Sequence, residues 1–228
     1  PEAFLNFIAL LGWNAGTEQE VYTLNEMIQQ FTLDNVHKSC AVFDIDKLDW
    51  INGTYIRKLS ADDFYEKCLP YLTKANLITP AKDKIAINST NEKVKPQYIK
   101  NILSLEQTRI KKLSEISEAI KFFFVPNFDY IADRLIWKKS DRSQTLENLR
   151  DLEKILKKLK KTEFTSPKVK ELIMEHISQN AKDTGSVLWP MRFALSGQDR
   201  SPDPFEIAGA LGKDQSLARI TFAIQKLS

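Results

Sequence analysis

Apolar residues recur at helical spacing along most of this chain. Five leucines, Leu146, Leu149, Leu152, Leu156 and Leu159, follow one another at intervals of three or four residues. Such spacing places them on one face of a helix. Runs that alternate apolar and polar residues, typical of strands, are nearly absent. The pattern predicts a protein built almost entirely of α-helices.

Helix starts and ends can be read from short polar motifs. Thr23–Glu26 reads TLNE and Ser60–Asp63 reads SADD, and both motifs are typical of a capped helix N-terminus. Asp203–Glu206 reads DPFE, which combines a capping aspartate, a proline in the first turn and an early glutamate. Gly12 and Gly212 each follow an apolar helical stretch, so we expect a helix to end at each. The sequence predicts at least about eight helices.

Two later stretches carry specific expectations. Ile78–Lys95 contains Pro80 and a run of Asn, Ser and Thr residues, which predicts a loop between two subdomains. The following pattern predicts one helix from Lys95 towards Pro126. The stripe of that helix is formed by Leu105, Arg109, Leu113, Ile116 and Ile120. An arginine on such a stripe is an edge residue, half of a buried ion pair, or a donor to a ligand.

Composition and charge say little more about the class of protein or its partner. Hydrophobic residues make up 43% of the 228 residues and charged residues 28%, which is typical of a globular protein. The net charge of +3 is weak evidence for a polyanionic partner. Lysines are concentrated in Ile155–Lys161 and at Lys111, Lys112 and Lys121. A charge run of this kind is usually a solvated helix face, and attraction of nucleic acid is the alternative.

The sequence contains no recognisable catalytic or metal-binding motif. It has no glycine-rich phosphate loop, no clustered His, Cys and Asp ligands, and no nucleophile beside a base. His176 lies on an apolar helical face, where a hydrogen-bonded core histidine is the expected role. Cys40 and Cys68 have no metal-ligand spacing and predict reduced thiols in a cytoplasmic protein. No apolar run approaches the roughly 20 residues that span a bilayer.

Three segments, in order and at compatible spacing, resemble bacterial glutamyl-tRNA synthetases. The first is Pro1–Leu24, PEAFLNFIALLGWNAGTEQEVYTL, and the second is Val36–Arg57, VHKSCAVFDIDKLDWINGTYIR. The third, Trp189–Lys213, WPMRFALSGQDRSPDPFEIAGALGK, is close to the family's terminal pattern. The resemblance covers the whole chain, although it is thin over 80–103 and 125–183.

The resemblance implies an all-α architecture and a division of labour. A helical stem-contact domain is expected over residues 1–60, followed by two helical anticodon-binding subdomains over 61–125 and 126–228 in a right-handed superhelical bundle. The family carries its ATP and glutamate sites upstream of the segment that resembles Pro1–Leu24. The start at Pro1 therefore predicts a piece of a longer ligase that uses ATP and Mg²⁺, with no catalytic residue, cofactor or metal of its own.

Within the resemblance, specific residues match anticodon contacts. Arg109 matches the arginine that reads the third anticodon base, and Arg192 matches a second anticodon-contacting arginine, with a structural ion pair as the alternative. Ser201, Pro202 and Pro204 match the turn against which the bases pack. The family often has glycine where this chain has Asp203, and a carboxylate there favours a helix-capping role.

The stem-contact segment supplies three further candidates. Ser39, Lys47 and Trp50 match positions near the inner corner of the tRNA. Lys47 is a candidate phosphate contact, whereas Trp50 and Tyr55 are more typical of core aromatics than of stacking platforms.

The function implied is tRNA binding by part of a glutamate–tRNA ligase. The expected partner is glutamate tRNA, and the expected form is a cytoplasmic monomer. Two alternatives stay open at this point. One is a helical protein–protein scaffold that has lost RNA binding, and the other is a synthetase that also charges glutamine tRNA, against which Arg109 argues.

Overall fold

The computed structural model describes residues 1–37, 42–126 and 128–228. Helices dominate the described residues, which confirms the predicted all-α class. The described residues form ten α-helices: α1 (Glu2–Gly12), α2 (Leu24–Gln30), α3 (Ile45–Lys58), α4 (Ala61–Lys74), α5 (Pro96–Gln107), α6 (Ile116–Ile120), α7 (Arg142–Lys158), α8 (Ser166–Gln179), α9 (Thr184–Ser196) and α10 (Pro204–Leu227). Short 3₁₀ turns lie at Leu33–Asn35, Leu113–Glu115, Lys121–Phe123, Ala132–Leu135 and Lys161–Glu163. In the described part of the chain, no helix is both long enough and apolar enough to cross a membrane.

The predicted caps are present. The Thr23 hydroxyl accepts the Glu26 N–H at 3.2 Å, and the Glu26 carboxylate accepts the Thr23 N–H at 2.6 Å. The Ser60 hydroxyl accepts the Asp63 N–H at 3.1 Å. These bonds satisfy amides that a helix N-terminus would otherwise leave free. Gly212 has φ of 76°, and the helical path of α10 is interrupted there.

The expected loop at Ile78–Lys95 is instead a small antiparallel sheet. Strands β1 (Ile78–Ala81), β2 (Lys84–Ile87) and β3 (Lys93–Val94) lie in that order, with Ile78 opposite Ile87. Ile85 and Ile87 are buried while Lys84 is exposed, a period-two alternation too short to stand out among helical patterns. Pro80 is tolerated because β1 is an edge strand.

The single helix expected after Lys95 is also wrong. α5 ends at Gln107, and Arg109 lies in the turn that follows, so it does not belong to a helical stripe. The Gln107 side-chain amide donates to the carbonyl oxygens of Ile56 and Leu59, both at 3.0 Å. Ile110 is buried in the core within the same turn. These tertiary contacts override the local preference for a longer helix.

The hydrophobic core is unequally distributed. One continuous cluster runs from Ile56 to Leu227 and joins α4 to α10 with the sheet. The first part of the chain has two small clusters, one around Phe7 and Ile51 between α1 and α3, and one around Trp13 and Tyr22. The large cluster crosses the expected boundary at 125, and the boundaries at 60 and 125 stay predictions.

Candidate nucleic-acid interface

Arg109 emerges from the turn directly after α5. Its Nε donates to the Glu106 carboxylate at 3.0 Å, and the Arg109 side chain is 41% exposed while that of Glu106 is 5% exposed. This is the side-chain hydrogen bond that Arg109 makes among the described residues. The ion pair considered from the sequence therefore exists, and Nη1 and Nη2 make no hydrogen bond among the described residues. Arginine offers five N–H donors, so one partner does not exhaust it.

The carboxylate beneath Arg109 is unusual in its burial. Desolvation raises the pKa of Glu106 above its ordinary value, and the neighbouring charge and hydrogen bond of Arg109 offset only part of that effect. Buried carboxylates are rare unless a cation accompanies them. Glu106 was not singled out from the sequence. The available signal was a glutamate three residues before an arginine, a common spacing on helix surfaces.

The backbone of this turn is fixed against α3. The Asn52 side-chain amide donates to the Lys111 carbonyl oxygen at 2.5 Å, and Lys112 pairs with Asp49 at 2.8 Å. Together with the Gln107 bonds, these contacts attach both sides of the Arg109 turn to one helix. The backbone at Arg109 is therefore held in place before any ligand arrives.

Arg192 supports a second turn, the one that precedes α10. From α9, its Nη1 donates to the Ser201 carbonyl oxygen at 2.6 Å, to the Pro202 carbonyl oxygen at 2.8 Å and to the Ser201 hydroxyl at 3.2 Å. Ser201, Pro202 and Pro204 are buried. The predicted contact turn is thus held in one conformation by the hydrogen bonds of a single nitrogen, Nη1 of Arg192.

Asp203 lies at the exposed tip of that turn. Its carboxylate accepts the Phe205 N–H at 2.8 Å, which is the helix-capping role considered from the sequence. The charge of Asp203 also acts to raise the pKa of the Arg192 guanidinium. The aspartate therefore has a structural reason to stand where the family often has glycine.

Arg109 and Arg192 influence each other although α5 and α9 are far apart in the chain. The pKa of Arg192 is lowered first by burial, and repulsion from Arg109 lowers it further. An interaction of this kind weakens with distance, so the two guanidiniums lie within electrostatic range of each other.

The stem-contact candidates lie apart, on α3. Lys47 pairs with Glu20 at 2.7 Å and lines an open cleft of about 440 Å³ with Trp13 and His37. Trp50 is 45% exposed, so the core interpretation is wrong for it. Ser39 lies outside the described residues.

Tyr55, the other aromatic of this segment, takes the core role. Its side chain is half-buried. Its hydroxyl donates to the Tyr22 carbonyl oxygen and lies 3.1 Å from the Asn6 side-chain oxygen. Tyr55 therefore connects α3 to the segment between α1 and α2, as a packing aromatic would.

The lysine clusters are largely neutralised within the protein. Four of the lysines considered for RNA attraction pair with acids: Lys112 with Asp49, Lys121 with Glu118, Lys157 with Glu153 and Lys161 with Asp214. Exposed pairs of this kind favour the solvated-face interpretation. His176 matches the expected core histidine only in part: it is half-buried, its Nδ1 lies 3.2 Å from the Asn180 side-chain nitrogen, and its Nε2, 3.5 Å from Asp151, makes no hydrogen bond among the described residues.

Comparison with protein families shows which family this chain belongs to. A family model described as an anticodon binding domain matches residues 63–224. The chain belongs to the anticodon-binding domain family. A second model, for the catalytic domain of class I tRNA synthetases specific for E and Q, matches residues 1–50. Residues 51–62, which hold the later part of α3 and the start of α4, separate the two matches.

Individual relatives agree with this affiliation. A glutamate–tRNA ligase of Clostridium botulinum is 42% identical over 99% of the chain, and that of Clostridium novyi is 37% identical over 99%. A crystal structure of a glutamate tRNA ligase from Elizabethkingia meningosepticum, in complex with its amino acid, superimposes with a TM-score of 0.78 at 27% identity. It covers all of this chain and 41% of that one. The chain spans 43% and 44% of the length of the two clostridial relatives. The resemblance to glutamyl-tRNA synthetases is confirmed.

Proposed function

We propose that this chain is the tRNA-binding part of a glutamate–tRNA ligase and that it grips the anticodon loop of glutamate tRNA. The observation that carries the proposal is the turn at Ser201 held by Arg192, with Arg109 near enough for its charge to act on Arg192. These residues come from distant parts of a chain in the anticodon-binding domain family. An anticodon loop offers unstacked bases, which proteins recognise through their edges and faces.

The chemistry of the Arg109 guanidinium suits cytosine at the third anticodon position. Cytosine presents two acceptors, O2 and N3, on its Watson–Crick edge, and a guanidinium provides only donors. Guanine presents N–H donors on the corresponding edge, which leaves arginine donors facing donors. Arg109 therefore favours a tRNA with cytosine in that position, as in glutamate tRNA, over one with guanine, as in glutamine tRNA.

The Ser201 turn has a different role in the proposal. Its carbonyl oxygens are occupied by Arg192, so the turn keeps one shape while bases pack against it. A preformed surface binds with a smaller ordering cost than a flexible one. Lys47 and Trp50 on α3 then contact the inner corner of the same tRNA, at a distance from the anticodon.

The activity proposed for the longer protein is esterification of glutamate to tRNA with ATP and Mg²⁺. This chain supplies RNA-binding residues to that reaction and no catalytic residue. Twelve of the fifteen exposed large hydrophobic side chains among the described residues fall within residues 1–50, the segment that matches a catalytic-domain model. Exposed apolar patches mark contact surfaces, and we assign this one to contact with further parts of a class I catalytic domain. The protein acts as a cytoplasmic monomer, since one chain carries the whole proposed anticodon site.

The decisive experiment measures binding to two anticodon stem-loops that differ only in the third anticodon base. The 228-residue chain is expected to prefer cytosine, and Arg109→Gln is expected to lose about tenfold to a hundredfold of that preference, because bidentate contacts to bases carry about 1–3 kcal/mol. Arg150→Gln, at an exposed arginine on α7, is the matched control and should keep the preference. Equal binding of both stem-loops by the unmodified chain would refute base reading, and no binding of either would favour the scaffold alternative.

A further inference from the structure

The pairing of Glu106 with Arg109 is asymmetric. Glu106 is almost completely enclosed at the end of α5, whereas Arg109 is partly open to solvent. An enclosed carboxylate loses its hydration, and attraction to a half-exposed cation offsets only part of that desolvation free energy. The raised pKa of Glu106 reflects the same imbalance. Burying a carboxylate here is therefore a poor way to stabilise the fold, which suggests a different role for it.

The geometry of the contact identifies that role. Glu106 accepts from Nε, the nitrogen nearest the aliphatic chain, at 3.0 Å. A hydrogen bond at Nε restrains the plane of the guanidinium and leaves its end-on edge, formed by Nη1 and Nη2, without a hydrogen bond among the described residues. That outer pair is the one that can form a fork with two acceptors on a base or phosphate.

Repulsion within the site creates a need for such a restraint. Arg192 lies close enough to Arg109 for the two charges to interact. The backbone of the Arg109 turn is held by Asn52 and Gln107, so the side chain is the part still free to move. The Glu106 carboxylate supplies the hydrogen bond that restrains this side chain among the described residues.

We infer that Glu106 is the positioning residue for Arg109, holding its guanidinium plane ready to read the third anticodon base. This inference rests on the proposed function, because it assumes that Arg109 reads that base. A long arginine side chain loses conformational freedom when it binds, and ordering it in advance lowers that loss. Glu106 touches no RNA itself and acts only through Arg109.

The test uses the same two stem-loops with substitutions at Glu106. Glu106→Met keeps the length and helix preference of the side chain but removes both charge and acceptor. Glu106→Gln removes the charge and retains one acceptor oxygen. We expect Glu106→Met to lower the cytosine preference by about tenfold, within the range of one base contact, and Glu106→Gln to retain an intermediate preference. Glu118→Gln, at an exposed glutamate paired with Lys121 three residues on, is the matched control and should change nothing.

A double variant separates positioning from general stability. If Glu106 acts only through Arg109, adding Glu106→Met to Arg109→Gln should lower the preference no further. A purely structural Glu106 would weaken both stem-loops equally and leave their ratio intact in the single Glu106 variants, which would overturn the inference. In that case Arg109→Gln would still lose the preference and the proposed function would stand. If Arg109→Gln also kept the ratio, the proposed function itself would fail. Should Glu106→Met not fold, the ratio for Glu106→Gln alone decides.

Discussion

Residues 1–50 and residues 63–224 bury their apolar side chains very differently. The later region has one continuous core, in which Leu152, Ile173 and Ile220 are all 0% exposed. The earlier region has two small clusters and leaves Ile28 68% and Leu33 80% exposed. The two regions coincide with matches to two different family models.

The contrast teaches that apolar sequence content does not by itself locate a core. Both regions contain amphipathic helices, but only the later one has enough helices to cover its own apolar faces. The later region is thus organised around a continuous core, whereas the earlier region leaves many of its large apolar side chains exposed.

The largest effect is expected from a matched pair of isoleucine substitutions. Ile220→Ala leaves a cavity at a fully buried position and should lower the free energy of unfolding by about 2–5 kcal/mol. Ile28→Ala removes the same atoms from an exposed helix position and should change it by only about 0.5 kcal/mol or less. Urea denaturation followed by circular dichroism measures both. Equal losses would mean that residues 1–50 are as tightly packed as the later core.

The two regions also differ in how well their structure could be predicted. In 142–227 the leucine stripe, the Asp203 cap and the break at Gly212 are local signals, and the structure follows them. The turn at Arg109 depends on Asn52 and Gln107, which act across long sequence distances that helical spacing does not report. The strands were not predicted for a related reason, because an alternation of only four residues is a weak signal beside the longer helical patterns.

The candidate site shows the same limit. The resemblance to glutamyl-tRNA synthetases identified both arginines. The residue types alone indicated only that an arginine on an apolar stripe has a specific role, such as an ion pair or a contact with a ligand. The stripe itself was wrong, because Arg109 lies beyond the end of α5. The hydrogen bonds of Arg192 to the Ser201 turn could not be predicted from residue spacing, because they depend on where α9 ends relative to α10.

The second prediction concerns Arg192, which builds part of the site in the later region. Arg192→Lys replaces the planar guanidinium, whose Nη1 lies 2.6 to 3.2 Å from three acceptors, by a shorter side chain whose ammonium does not reach the same position. We expect both stem-loops to bind roughly tenfold more weakly, since lost hydrogen bonds to a charged group cost about 1.5–3 kcal/mol. The ratio between the stem-loops should survive, because Arg109 is untouched. A change in that ratio would assign base reading to Arg192 as well.

The smallest predicted effect belongs to the earlier region, and it tests whether α3 contacts RNA at all. Lys47 is partly engaged by Glu20, so neutralising it with Lys47→Gln should remove at most one phosphate contact. For full-length glutamate tRNA, the slope of log affinity against log salt should fall by about one unit or less. The isolated anticodon stem-loop lacks the inner corner of the tRNA, so its binding should not change. Lys158→Gln, at an exposed lysine of α7, is the matched control for charge.

If Lys47→Gln weakened the stem-loop as much as the full tRNA, Lys47 would act through net charge alone. The contact role of α3 would then rest on Trp50, whose exposed indole can be tested by Trp50→Leu with the same two RNAs.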